Sequence, residues 1–212
     1  MNIICPTITA GNLHTYREQM ERVESFAKRI HIDLMDGKFT NNKSIEIEQV
    51  WLPEDMPCDI HLMFQNPERV INDLIKIRPQ LVIIQAESTC NFIQFANVLH
   101  DEGIKVGISV KANTDIASVA DYLKSYEHLL IFSGNLGYQG GSTADLSLLN
   151  KAEEAKRINS ALEIGWDGGV NNINIAQIAS GGVDVINVGG FIQANLEPSK
   201  AFHELEKLLS NI

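Results

Sequence analysis

His31-Ile32-Asp33-Leu34-Met35-Asp36-Gly37 joins an apolar strand pattern to a run of side chains that cost free energy to bury. Alternation across a strand puts His31, Asp33 and Met35 on one face and Ile32 and Leu34 on the other, the latter suited to packing beneath a helix. An imidazole and a carboxylate two residues apart on one strand then point the same way, and both are standard ligands of a divalent ion. A buried His–Asp hydrogen bond would use the same pair for structure alone. What the rest of the chain brings to this face decides between them.

Outward from this stretch, short β-rich runs alternate with amphipathic helical stretches, the pattern of a parallel sheet with helical crossovers. About eight units are present, with strands predicted at 3–8, 30–35, 58–64, 81–86, 104–110, 129–133, 162–167 and 183–189. A helix is predicted over 13–28, with Leu13, Tyr16, Met20, Val23, Phe26 and Ala27 at helical spacing. Others run over 67–77, with Pro67 in the first turn, and over 91–100, before the polar stop Asp101-Glu102-Gly103. Gly181-Gly182 ends the helix ahead of the last strand. The second crossover, 39–57, contains Asn41-Asn42, Pro53 and Pro57, and leaves room in a loop only for a short helix near 45–51. Eight β-α units without a composition break predict a closed (β/α)8 TIM barrel, one domain over 1–212. An open doubly wound sheet is the runner-up; against it, the first turn lacks a GxGxxG fingerprint and polar residues end strands around the whole chain.

The strand at 58–64 repeats the parity of 30–35, with Asp59, His61 and Met63 on one face and Ile60 and Leu62 on the other. The strand at 162–167 ends in Trp166-Asp167-Gly168-Gly169-Val170, so Asp167 stands where a barrel strand meets its loop, the face on which barrel enzymes place their catalysts. His31, Asp33, His61 and Asp167 thus converge from three strands and can close around one divalent metal ion. Each taken alone would read as a satisfied core polar group, His61 above all, but four at strand ends together favour a site. His14, His100, His128 and His203 are expected on helices or connections, exposed. Glycines cluster after the sixth, seventh and eighth strands, in 134–141, in Gly168-Gly169 and in Gly189-Gly190. Backbone amides at such turns reach anions, and the loops after strands seven and eight are the usual phosphate-binding place of this fold. Tight turns would also use glycine, and at Gly140-Gly141 the two uses are not separable.

A net charge of -10 with no basic run argues against a nucleic-acid partner. The hydrophobic fraction of 44% and charged fraction of 21% are those of an ordinary globular protein. Met1-Asn2-Ile3-Ile4-Cys5-Pro6 has no cationic segment ahead of a long apolar core, and no apolar run approaches a membrane span, so the expectation is a cytoplasmic protein with no membrane partner. Cys5, Cys58 and Cys90 are an odd count without CxxC spacing, which predicts three reduced thiols, Cys5 and Cys58 serving as small core residues.

Cys5-Pro6-Thr7-Ile8, His31-Ile32-Asp33-Leu34-Met35-Asp36-Gly37-Lys38-Phe39, Asp59-Ile60-His61-Leu62-Met63 and Asp167-Gly168-Gly169-Val170 together resemble the motifs of the ribulose-phosphate 3-epimerase family, over nearly the full chain. The resemblance implies a TIM-barrel epimerase acting on a ketopentose phosphate or a related hexulose phosphate. It implies His31, Asp33, His61 and Asp167 as ligands of one divalent ion, zinc, iron, manganese or cobalt. Asp33 and Asp167 would double as acid and base, one taking the C3 proton and the other returning one to the opposite face. Thr7, His61, Met63, the loop residues Gly137, Tyr138, Gln139 and Gly140, and the pairs Gly168-Gly169 and Gly189-Gly190 would contact the sugar phosphate, with Met63 and Met35 shielding the site from water. A homo-oligomer is also implied.

The chain departs from the family pattern in its recognition loops. Asn135-Leu136-Gly137-Tyr138-Gln139-Gly140-Gly141 stands in place of Asn-Pro-Gly-Phe-Gly-Gly-Gln, Gln85-Ala86-Glu87 in place of His-x-Glu, and Gly190 in place of a serine. The metal and acid/base set matches, so the reaction class is better specified than the substrate. A decarboxylase of the same superfamily would be expected to show Asp-x-Lys-x-x-Asp on a strand, where this chain has His31-x-Asp33. A Schiff-base aldolase would need a buried lysine, for which Lys111 after strand five is the strand-end candidate. The alternative that the changed loop leaves open is a sugar-phosphate-binding barrel that has lost turnover; against it, such a barrel would have no use for two opposed carboxylates that cost stability to bury.

Overall fold

A computed structural model describes residues 2–212. Eight parallel strands, β1 Ile3–Thr9, β2 Ile30–Met35, β3 Cys58–Met63, β4 Leu81–Gln85, β5 Lys105–Val110, β6 His128–Phe132, β7 Glu163–Asp167 and β8 Val185–Val188, close into a barrel in chain order. The helices are α1 Leu13–Glu21, α2 Ile71–Ile77, α3 Phe92–Asp101, α4 Ala120–Leu123, α5 Asn150–Ile158, α6 Ile175–Ser180, α7 Gly190–Gln193 and α8 Pro198–Leu209. The expected strands are all present, with ends moved by a residue or two. The first expected helix is shorter: α1 ends at Glu21, where the bonding tightens to a Val23 N–H donating to Met20 O at 3.0 Å. The second crossover holds only a 3-10 turn, Ile47–Gln49, pinned to α1 by the Tyr16 hydroxyl donating to Trp51 O at 2.6 Å.

The outward face of every strand is apolar. Ile32, Leu34, Ile60, Leu62, Ile164 and Trp166 belong to one large core between sheet and helices, the double burial that a covered parallel sheet requires. The inward face is different. Leu81, Ile83 and Leu130 form a small apolar cluster of their own, and polar tiers flank it. Barrel interiors are more often filled by branched aliphatic side chains.

The tier at the strands' N-terminal ends is charged. Arg29 Nε donates to Asp59 Oδ1 and Oδ2 at 3.0 and 2.8 Å, and its Nη1 and Nη2 donate to the two Glu163 oxygens at 2.9 Å each. Burial alone would raise the Glu163 carboxyl, and hydrogen bonds from His128 and Arg29 outweigh it, holding the group well below the usual carboxylate range. His128 corrects the expectation of an exposed histidine: it opens β6, is 1% exposed, and sets Nδ1 2.8 Å from Glu163 Oε2. Glycines make its space. A Cβ at Gly107 would lie 2.9 Å from His128 Cβ, and one at Gly165 would run into the ring.

Candidate active site

Register assembles the second polar tier. β2 pairs with β3 so that Asp33 lies beside His61, β1 sets Thr9 beside Asp33, and β7 and β8 bring Asp167 beside Asn187. His61 Nδ1 is 3.0 Å from Asp33 Oδ1, and His31 Nε2 is 3.3 Å from Asp33 Oδ1 and 3.7 Å from Asp167 Oδ2. The Thr9 hydroxyl donates to Asp33 Oδ2 at 2.9 Å. One ligand atom from each of His31, Asp33, His61 and Asp167 falls within 4.8 Å of the others, and all four residues are buried. The expected set is therefore brought together.

Its electrostatics are those of a site that wants a cation. Burial, then the Asp33 charge, raises the Asp167 carboxyl, and His31 only partly offsets them. Burial would raise Asp33 too, but the adjacent His31 and His61 imidazoles hold it low. Burial would lower the His31 imidazole, and Asp33 and Asp167 raise it instead; at His61 burial prevails and the ring is lowered. His31 Nε2 and Asp167 Oδ2 are buried without a hydrogen-bond partner. A divalent ion among two imidazoles and two carboxylates would satisfy those atoms and relieve the carboxylate repulsion, so the residues fit a metal.

A cavity opens above the cluster. Thr7, Met63, Gly137, Tyr138, Gln139, Gly140, Gly168, Gly169, Gly189 and Gly190 all line it, together with Asp33 and Asp167. His61, expected to touch substrate, is fully buried and does not line the cavity, and neither does Met35, 4% exposed. Lys111 also lies outside it, with Nζ 5.6 Å from the centre of the Phe39 ring. Sequence reasoning missed Thr9, Phe132 and Asn187 on the cavity wall. Thr9 fell one residue past the expected end of its strand, whereas Asn187, a lone polar residue in an apolar run before Gly189, was a readable signal.

The glycine loops take conformations and contacts that side chains would break. Gly168 and Gly169 have φ of 110° and 70°; a Cβ on the first would strike Ser133 and Gly134, and one on the second Thr143 and Ala144. A Cβ on Gly190 would come 2.8 Å from Gly140 Cα, which bars a serine there unless the loop moves. Gln139 supplies the bulk instead. Its Nε2 donates to Thr7 O at 3.0 Å and its Oε1 accepts from Gln19 Nε2 at 3.0 Å, tying the loop to β1 and α1. Tyr138 stays at the rim, 61% exposed. Glu87 accepts from the Thr114 hydroxyl and so anchors the loop after β5.

A closed eight-stranded barrel with an imidazole and carboxylate cluster at the C-terminal mouth of its strands defines an α/β-barrel enzyme. Residues 3–193 match the ribulose-phosphate 3 epimerase family, and the chain belongs to that family of isomerases. A ribulose-phosphate 3-epimerase of Mycobacterium leprae is 31% identical over 212 residues, covering 97% of this chain and 94% of that protein. One from Helicobacter pylori is 28% identical over 211 residues, covering 97% of each. Among solved structures, 3-hexulose-6-phosphate synthase from Salmonella typhimurium is similar with a TM-score of 0.76 at 13% identity, over 99% of each chain, a likeness of fold alone. Among the described residues no helix is long and apolar enough to cross a membrane.

Proposed function

We propose that this protein inverts C3 of a ketose phosphate, interconverting D-ribulose 5-phosphate and D-xylulose 5-phosphate or acting on a related hexulose 6-phosphate. The observation that carries the reading is the meeting of two carboxylates from non-adjacent strands at one imidazole, with Asp33 and Asp167 oxygens 3.3 and 3.7 Å from His31 Nε2. His31, Asp33, His61 and Asp167 would hold one divalent ion, which when bound supplies a Lewis acid for the charge that develops on the substrate oxygens.

The chain's own groups account for the proton movements. One carboxylate removes the C3 proton, the C–H electron pair moves into the C2 carbonyl to give an enediolate, and the other carboxylate delivers a proton to the opposite face of C3. The reaction is reversible, so each carboxylate is the base in one direction and the acid in the other. Met63 and Phe132, on the cavity wall, keep water from the enediolate. Backbone amides around Gly168-Gly169 and Gly189-Gly190 take the phosphate, and Thr7 and the 137–140 loop contact the sugar.

NMR in deuterated water with a panel of ketopentose and ketohexose phosphates tests this directly. Deuterium should enter C3 as the epimer forms, and Asp33→Asn and Asp167→Asn should each lower turnover by about a hundredfold to ten-thousandfold. Full activity in Asp167→Asn would refute the two-carboxylate scheme.

A further inference from the structure

Gln85 on β4 and Asn187 on β8 reach the two imidazoles of the cluster from behind, in matching ways. Gln85 Nε2 lies 2.7 Å from His61 Nε2, and Asn187 Nδ2 lies 3.1 Å from His31 Nδ1. The other ring nitrogens look inward, His61 Nδ1 at Asp33 and His31 Nε2 at Asp33 and Asp167. Both amides are buried, Gln85 at 0% and Asn187 at 2% exposure, and in both the carbonyl oxygen has no hydrogen-bond partner. A buried acceptor left unmade costs about 1–3 kcal/mol, so two at one centre call for an account.

A neutral imidazole carries one proton. With only carboxylates before it, the inward nitrogen keeps that proton facing them, and the outward lone pair meets an amide N–H. A cation before it takes the inward lone pair, and the proton must then sit on the outward nitrogen, which needs an acceptor. The idle amide oxygen is that acceptor once the amide turns end for end. A carboxylate can only accept and an ammonium can only donate, but a primary amide offers both at the same reach.

We propose that Gln85 and Asn187 are the positioning residues of the metal centre, each turning over with the tautomer of its histidine so that His61 meets the ion through Nδ1 and His31 through Nε2. The proposal rests on the metal reading above and adds the outer partners that fix its ligands.

The test is histidine 15N NMR of the full chain with and without zinc, together with zinc affinity by chelator competition. The variants are Gln85→Met and Asn187→Leu, which remove the amide, and Gln85→Glu and Asn187→Asp, which keep an acceptor. Zinc should move the ring protons to His61 Nε2 and His31 Nδ1. The apolar variants should bind zinc about 10–100-fold more weakly, and the acidic variants at least as tightly as the wild type. Apolar variants that bind zinc as the wild type does, or wild-type ring protons that stay on the inward nitrogens in the zinc form, would overturn the inference. If an apolar variant does not fold, its acidic counterpart decides, and weaker binding there overturns the inference. A wild-type protein that takes up no zinc would overturn the metal reading itself.

Discussion

Removing the guanidinium of Arg29 probes the charged tier beneath the site. Arg29 is 4% exposed and makes four charge-assisted hydrogen bonds of 2.8–3.0 Å to Asp59 and Glu163. Arg29→Met keeps much of the stem's volume but leaves Asp59, 1% exposed, without its cation. Breaking a buried pair from one side costs about 3–5 kcal/mol. The Glu163 side chain is 34% exposed, so solvent screens that half of the network, and the expected loss lies at the lower end, about 3 kcal/mol. For a chain of this length that is about 6–12 °C in Tm. The pH dependence fixes the sign. Burial raises Asp59 above its ordinary 3.8 even with Arg29 opposing it, and without Arg29 the folded-state value rises further. A carboxyl raised by folding destabilises while ionised, and the penalty is relieved as pH falls through its folded value. Glu163, held low in the wild type, gives stability that is lost as pH falls below its ordinary 4.5. The gap between wild type and Arg29→Met should therefore narrow in acid. Urea unfolding at about pH 7 and about pH 4.5 measures it, and Arg29→Met/Asp59→Leu should recover most of the loss. A single-variant cost under about 1 kcal/mol, or a gap that widens in acid, would refute the reasoning.

Chelator treatment should lower Tm, and zinc returned at about a hundred times its Kd should restore about 2.7 kcal/mol of stability, read by differential scanning fluorimetry; a Tm indifferent to both would argue against a bound ion. Gly169→Ala combines a positive φ with a backbone collision at Thr143 and Ala144, and should cost at least about 1–2 kcal/mol in urea unfolding. It should also raise KM for a phosphorylated ketose. Unchanged stability and KM together would mean that the loop after β7 does not need its tight approach.

The barrel and the four-residue cluster were readable because both depend on parity within single strands. Ile32 and Leu34 against His31 and Asp33 assign two faces without any knowledge of partners, and the same holds for Asp59 to Met63. What escaped depends on partners far along the chain. His128 opens β6 with nothing around it to mark burial; its acceptor, Glu163, is 35 residues away, and the glycines that clear its space lie on β5 and β7. Gln85 was visible as a departure at strand four, yet its use rests on a contact with His61 across 24 residues. Asn187 meets His31 across 156 residues.

The two polar tiers are linked by the strands they share. Arg29 immediately precedes β2, Asp59 stands on β3 and Glu163 on β7, so one guanidinium joins the strands that carry His31 and Asp33, His61, and Asp167. His61 is two residues beyond Asp59, and Asp167 four beyond Glu163, which places the ionic clamp about 7–13 Å down the same strands from the site. Apolar packing could fill that volume and would often be as stable, but dispersion contacts have no preferred direction. A planar guanidinium bonded to two carboxylates fixes both distance and orientation. The charged tier therefore does for the spacing of β2, β3 and β7 what is proposed of Gln85 and Asn187 for the rings: it holds the four side chains of the cluster in register.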